Sequence, residues 1–202
     1  MSNLIEIAKN VTPRIGLSLP DRISGSTQRE HLEILEYLNA VGEDLTRRVD
    51  WGILTKETIM QGTGNDDAVM VASDLHRLAQ RTAVIHNGKP LRALTRTEWN
   101  TLTSVEGEPR YYLLEGSELS LWPHLSLNDS ARVFYQTVNW CDNGSREFRL
   151  DEDAPLIPSE LFELGLVYRW KRQKGLPYAD FENEYEASLN NYASFDDNSR
   201  LL

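Results

Sequence analysis

Cysteine is nearly missing from this chain of 202 residues, with Cys141 the single example. A lone thiol closes no intrachain disulfide, and no His or Cys cluster stands near it at zinc spacing, so the fold is expected to rest on its core alone. Also missing is any apolar run near the roughly 18 residues of a membrane span. The N-terminus lacks the basic and apolar regions of an export leader, which points to synthesis in a cytoplasm. Positive charge is scarce: 21 Lys and Arg face 31 Asp and Glu, a formal net charge of -10. Each phosphate that a protein neutralises needs a cation, so this surface is expected to repel DNA where the two come close.

Catalytic constellations are missing as well. His31, His76, His86 and His124 are scattered, with no HExxH or facial-triad spacing. The GTGNDD stretch at Gly62 lacks the Lys-Ser/Thr of a phosphate loop, and Gly-x-Ser-x-Gly does not occur. Asp142 with Asp151, Glu152 and Asp153 offers oxygens to a cation, as Asp66-Asp67 does more weakly, but neither has the ligand spacing of an EF-hand. Loop solvation and helix N-terminal electrostatics account for both groups. No catalytic, cofactor-binding or metal-binding residue is assigned, and no enzyme activity is expected.

What is present is organised around 156–178, LIPSELFELGLVYRWKRQKGLPY. On a helix of 3.6 residues per turn, Leu161, Phe162, Leu164, Leu166, Val167, Tyr168 and Trp170 fall on nearly every side, so this helix wants protein all round. Pro158 suits its start, and Gly175 with Pro177 its end. Lys171, Arg172 and Lys174 then either cap the helix or form a partner-binding patch. Upstream, Leu4, Ile7, Ala8 and Val11 mark a short helix ended by Pro13. Thr27 and Glu30 read as a capping box launching a helix to about Val49, with Leu32, Leu35, Leu38, Gly42 and Leu45 on its apolar face and Gly42 admitting another backbone.

From Lys56 the period changes to strands. Asn87-Gly88 and Gly116-Ser117 are two-residue hairpin turns, Thr95 and Glu98 cap a short helix near 96–103, and Ala131 to Trp140 is the longest strand candidate, followed by a shorter run, Glu147 to Leu150. Glu57 to Gln61 and Ala68 to Val71 read as a hairpin or two strands joined by a loose loop. The five tryptophans sit at element junctions and read as core anchors between helical and sheet layers. Tyr178, Phe181, Tyr185, Leu189 and Tyr192 continue a helical stripe to about Ala193, after which periodicity is lost. The expected fold class is α+β: a helical bundle from 1–55 and 156–193, an inserted antiparallel β-sheet or small sandwich over 56–155, and a flexible tail over 194–202 that orders on docking.

The ordered series Arg47-Arg48-Val49-Asp50-Trp51, Asp74 with Arg77, Glu98-Trp99, Glu118 to Pro123, Phe134-Tyr135, Asn139-Trp140 and above all Leu164 to Tyr178 resembles the adaptor proteins of short-tailed bacteriophages. The likeness runs from about Leu4 to Tyr192. It implies a structural virion protein at the head-tail interface: a ring, commonly of twelve copies, beneath the portal protein, holding the tail nozzle protein and lining the DNA conduit without sequence-specific contact. A neck or head-completion protein of another tail type is the alternative, and a tail-associated wall hydrolase a more distant one. A ring needs heterologous interfaces, for which Arg169, Trp170, Lys171, Arg172 and Lys174 are the candidate residues. Phe195, Leu201 and Leu202 are candidates for docking on the portal.

Overall fold

A computed structural model describes residues 2–65, 68–80, 82–103 and 106–199. The chain is mixed α and β, as its periodicities require, and divides into two compact units. One is built from the chain up to Leu54 and from Val138 onward, the other from Thr55–Thr137.

The first unit opens with α1 (Leu4–Val11), whose N-terminus is closed by a reciprocal capping box: the Glu6 amide donates to Asn3 Oδ1 at 3.0 Å and the Asn3 amide to Glu6 Oε2 at 3.2 Å. Pro13 turns the chain into a 3-10 turn, Thr12–Ile15, ended by Gly16 at φ 78°. The helix α2 (Arg29–Arg48) starts differently from the expected Thr27–Glu30 box. Its N-cap is Gln28 with no side-chain cap, and Ser26 takes the capping part by accepting the Gln28 amide at 3.2 Å while meeting His31 Nδ1 at 2.9 Å. Thr27→Ala is therefore expected to shift the unfolding free energy by less than about 0.5 kcal/mol, whereas Asn3→Ala should cost about 1 kcal/mol in urea denaturation.

The buried stripe of α2 is Ile34, Leu38, Val41, Gly42, Leu45 and Thr46. Leu32, expected on that stripe, is 51% exposed, because the inward face is fixed by the helix that α2 packs on. That partner is α4 (Ser159–Gln173), which α1, α2 and α5 (Ala179–Ser199) all contact. Leu161, Phe162, Leu164, Gly165, Leu166, Val167, Tyr168 and Trp170 of α4 are buried, as a helix apolar on all sides demands. Two glycines set the close approaches. A Cβ on Gly165 would lie 2.8 Å from Val41 and 3.2 Å from Tyr185, and one on Gly42 would lie 2.3 Å from the Trp140 ring. The neighbour that Gly42 admits is thus an indole, not a backbone.

The segment 138–155, assigned from the sequence to the strand-rich insert, packs in this helical unit. Trp140 and Phe148 stack with Phe162 of α4, and the Leu156 amide donates to the Trp140 carbonyl at 2.8 Å. Glu147 to Leu150 is not a strand, because the Arg149 and Leu150 amides donate to the Asp153 carboxylate and leave no ladder to join. At the other end, α5 continues past Ala193 to Ser199. Ser194 Oγ bonds back to the Asn190 carbonyl at 2.8 Å and Asp196 accepts the Gly52 amide at 2.7 Å, so one local bond and one tertiary bond carry the helix where the apolar stripe has stopped.

The second unit contains β1 (Thr55–Gln61), β2 (Val69–Met70), β3 (Leu75–Leu78), β4 (Val84–His86), β5 (Lys89–Pro90), β6 (Arg92–Ala93), α3 (Arg96–Trp99), β7 (Tyr111–Glu115), β8 (Glu118–Trp122) and β9 (Ser130–Thr137). One sheet runs β1-β9-β4-β5 with β3 also on β9, and the other β2-β8-β7-β6. The pairings are antiparallel except β6 with β7, which is parallel, a departure from the all-antiparallel expectation. Because β1 and β2 pair in different sheets, they form no hairpin with each other. Asn87 at φ 48° and Gly88 at φ 74° close β4 on β5, the left-handed pair such a turn needs, and the Thr95–Glu98 capping box opens α3. Met60, Val84, Leu119, Leu121, Ala131, Val133 and Tyr135 from both sheets share one core.

Trp51, Trp140 and Trp170 belong to the core of the helical unit, while Trp99 and Trp122 meet edge to face at 6.3 Å within the strand unit.

Candidate interaction surface

The C-terminal end of α4 is built by its stop. Gly175 at φ 68° lets the Lys174, Gly175 and Leu176 amides fold back on the Trp170, Arg172 and Lys171 carbonyls, and this closure fixes the direction of the cations in the last turn. Lys171 Nζ stands 4.6 Å from the centre of the Phe181 ring, and the Arg172 guanidinium 5.8 Å from that of Tyr178. Lys174 Nζ lies over Trp170 at 4.6 Å and bonds Glu33 on α2 at 2.6 Å. The bonds from Lys174 and then Arg29 hold the Glu33 carboxyl below its ordinary pKa. Capping and surface presentation therefore coexist: the last turn satisfies carbonyls through its backbone and keeps its cations on aromatic faces.

The candidate residues separate by burial. Trp170 is 4% exposed, packed edge to face on Tyr37 at 6.2 Å, so it is a core residue of this chain and leaves no spare apolar face for a partner. Arg169 is a quarter exposed and reaches Asp44 at 3.4 Å, with its Nε buried and unbonded. Arg172 and Lys174 lie at the surface, Lys171 is half-buried, and Phe195 is 74% exposed. Leu201 and Leu202 lie outside the described residues, as do Asp66 and Asp67.

Sequence reasoning missed Asp44. It accepts the Tyr185 hydroxyl at 3.2 Å and lies 3.6 Å from Arg48, which in turn holds Glu186 of α5, so one carboxylate joins α2, α4 and α5. Its only signal was the i,i+4 spacing with Arg48. Three of the acids considered for a cation are spent on backbone amides. Asp151 Oδ1 accepts the Ile23 and Ser24 amides at 3.0 and 2.8 Å, Asp142 the Ala154 amide at 3.1 Å, and Asp153 accepts Asn143 Nδ2 together with the Arg149 and Leu150 amides. Among the histidines, His86 is buried on β4 and bonds Asp129 at 2.7 Å, His31 meets Ser26, and His76 meets Arg77. Burial raises the Cys141 thiol pKa to about 12, which leaves it a thiol at neutral pH.

In the strand unit, Asp74 gathers Lys56 Nζ at 2.6 Å, Thr137 Oγ1 at 2.8 Å and the Tyr135 hydroxyl at 2.9 Å. Burial alone would raise its pKa, but these bonds outweigh burial and hold it below the ordinary value. Burial, aided by Asp74, pushes the Tyr135 hydroxyl up to about 12. Below about pH 4 the unfolded chain takes up a proton that folded Asp74 refuses, and above about pH 10 the unfolded tyrosine loses one that folded Tyr135 keeps. Stability of this unit is therefore expected to fall on both sides. Urea midpoints across pH should show Asp74→Asn weakening the acid limb and Tyr135→Phe the alkaline one.

Residues 3–201 match the family model described as SU10 adaptor protein. No curated protein matches the chain. A match over almost the entire length, on a mixed α and β chain, places this protein in the SU10 adaptor protein family, a family of structural bacteriophage adaptors.

Proposed function

We propose that this chain is a ring-forming adaptor of the virion, seated at the head-tail interface, joining the portal to the tail nozzle and lining the conduit through which DNA leaves. The family match over residues 3–201 carries this reading. The net charge of -10 supports the conduit part, since an acidic wall gives passing phosphates nothing to hold. Copies, twelve in the adaptors it resembles, meet through heterologous contacts. The cations of the α4 end, exposed Arg172 and Lys174 with half-buried Lys171, supply part of that contact, and Trp170 and Arg169 shape it from beneath. Phe195, together with Leu201 and Leu202, docks on the portal.

Electron microscopy of particles from the phage that encodes this chain tests the proposal. The expected image has a ring of this protein between portal and nozzle. Finding it as single copies, or at another place in the particle, overturns it. Phe195→Ala should weaken retention on the portal without changing the melting temperature of the free chain.

A further inference from the structure

Helix α4 carries opposite charge at its two ends. About its start lie Glu6 of α1, Glu152 and Glu160, all exposed, and α1 is fastened there by the Leu4 and Ile5 amides on the Asp153 and Asp151 carbonyls at 2.8 and 3.2 Å. Glu163 lies one turn further on and accepts Asn10 Nδ2 at 2.8 Å. Nearby Arg149 is neutralised by Glu147 at 2.9 Å. At the other end, about 22 Å away for 15 residues at 1.5 Å each, stand Lys171, Arg172 and Lys174.

Most of the described cations of this acidic chain are held by carboxylates: Arg29, Arg47, Arg48, Lys56, Arg132 and Lys174 all have one within 3 Å or less. Lys171 and Arg172 have none within 4 Å among the described residues, even with Asp180 and Glu182 in the first turn of α5, and unlike Lys9, Arg14, Arg22, Arg110 and Arg146, which also have none, they are ordered on aromatic rings. They rest instead on the faces of Phe181 and Tyr178, which holds them in place and leaves their N-H groups unspent. Favourable helix-end electrostatics explains why such charges sit at the two termini, but it is satisfied within the last turn and does not account for two ordered cations without anions.

Resting on the ring reading above, we infer that Lys171 and Arg172 of one copy dock on the acidic end of α4, around Glu152 and Glu160, of the next copy. The two patches differ and lie at opposite ends of one rigid helix, so the contact is heterologous and repeats from copy to copy. The occupant is a second copy and not DNA, because the remainder of the chain opposes a polyanion while presenting complementary carboxylates in a fixed position.

Charge reversal in the phage tests this. Lys171→Glu with Arg172→Glu makes both ends acidic, and Glu152→Lys with Glu160→Lys makes both basic. Each pair alone is expected to lower the number of adaptor copies per particle at least tenfold. Co-expression of the two chains, or all four substitutions in one chain, should restore it. Glu160 also accepts the Tyr192 hydroxyl at 2.7 Å, so Tyr192→Phe and melting curves of each variant report any local damage. Full rings in particles carrying Lys171→Glu and Arg172→Glu would overturn the contact while leaving the ring intact. Restoration failing while all variants melt like the wild type would overturn it too. Wild-type particles without a ring would defeat the parent reading before the contact is reached.

Discussion

A Trp140→Ala variant is expected to lose about 4 to 5 kcal/mol of unfolding free energy, at the upper end of what truncating a buried aromatic costs. The indole is 1% exposed and meets Phe148 at 4.8 Å and Phe162 at 5.2 Å. It also lies flush on the α2 backbone at Gly42, where an added Cβ would stand 2.3 Å from the ring. The hole left by alanine would be walled on one side by a helix backbone that cannot collapse into it, so little of the cost is recovered. From the opposite direction, Gly42→Ala should cost about 3 kcal/mol by forcing ring and helix apart. Combined with Trp140→Phe, whose smaller ring gives way, the Gly42→Ala penalty should shrink, a coupling that a double-mutant cycle in denaturant reads directly. Additive losses would mean that the glycine and the indole do not share that space.

Asp153→Ala is expected to cost about 3 to 5 kcal/mol, comparable to losing a core side chain, because one buried carboxylate accepts three hydrogen bonds. Asp153 is 5% exposed and takes the Arg149 amide at 2.6 Å, the Leu150 amide at 2.8 Å and Asn143 Nδ2 at 2.7 Å. Removing it takes away the one acceptor that these three donors share. Asp153→Asn should cost less than the alanine: with its oxygen toward the Arg149 and Leu150 amides both of those bonds are kept, and only Asn143 Nδ2 is left facing a donor. Glu152→Ala, one residue away on the surface, is the control and should be close to neutral. Calorimetric melting of the three variants ranks them, and an Asp153→Ala that melts like Glu152→Ala would show that the carboxylate is not organising the turn.

These two sites also mark where the sequence was readable and where it was not. The identity of α4 as an enclosed helix followed from apolar residues on all its sides, and the Asn87-Gly88 and Thr95–Glu98 signals were local enough to stand without tertiary help. Asp153 could not be read, since an acidic run looks the same whether its oxygens face water, a cation or backbone amides. Only the fold brings the Arg149 and Leu150 amides to it. The capping box at Thr27 failed for a related reason, as Ser26 one residue earlier offers the same hydroxyl and the chain used that one. Trp170 was legible as apolar and buried, but whether the burial came from its own chain or from a neighbour depended on α1, α2 and α5 closing round α4. Lys171 and Arg172 were legible as cations at a helix end, while their aromatic supports, Phe181 ten residues on and Tyr178 six residues on, appear only when the chain turns back on α4.

The pairing of Thr55 with Gln136 has a consequence for how this protein can be altered. The first residue of β1 stands directly beside the penultimate residue of β9, so the polypeptide enters and leaves the Thr55–Thr137 unit through neighbouring positions about 5 Å apart. A module whose two leads emerge side by side can be exchanged, enlarged or replaced by a short tether while the segments on either side keep their spacing. Selection can therefore remodel the strand-rich unit, and whatever surface it offers, without rewriting the flanking segments.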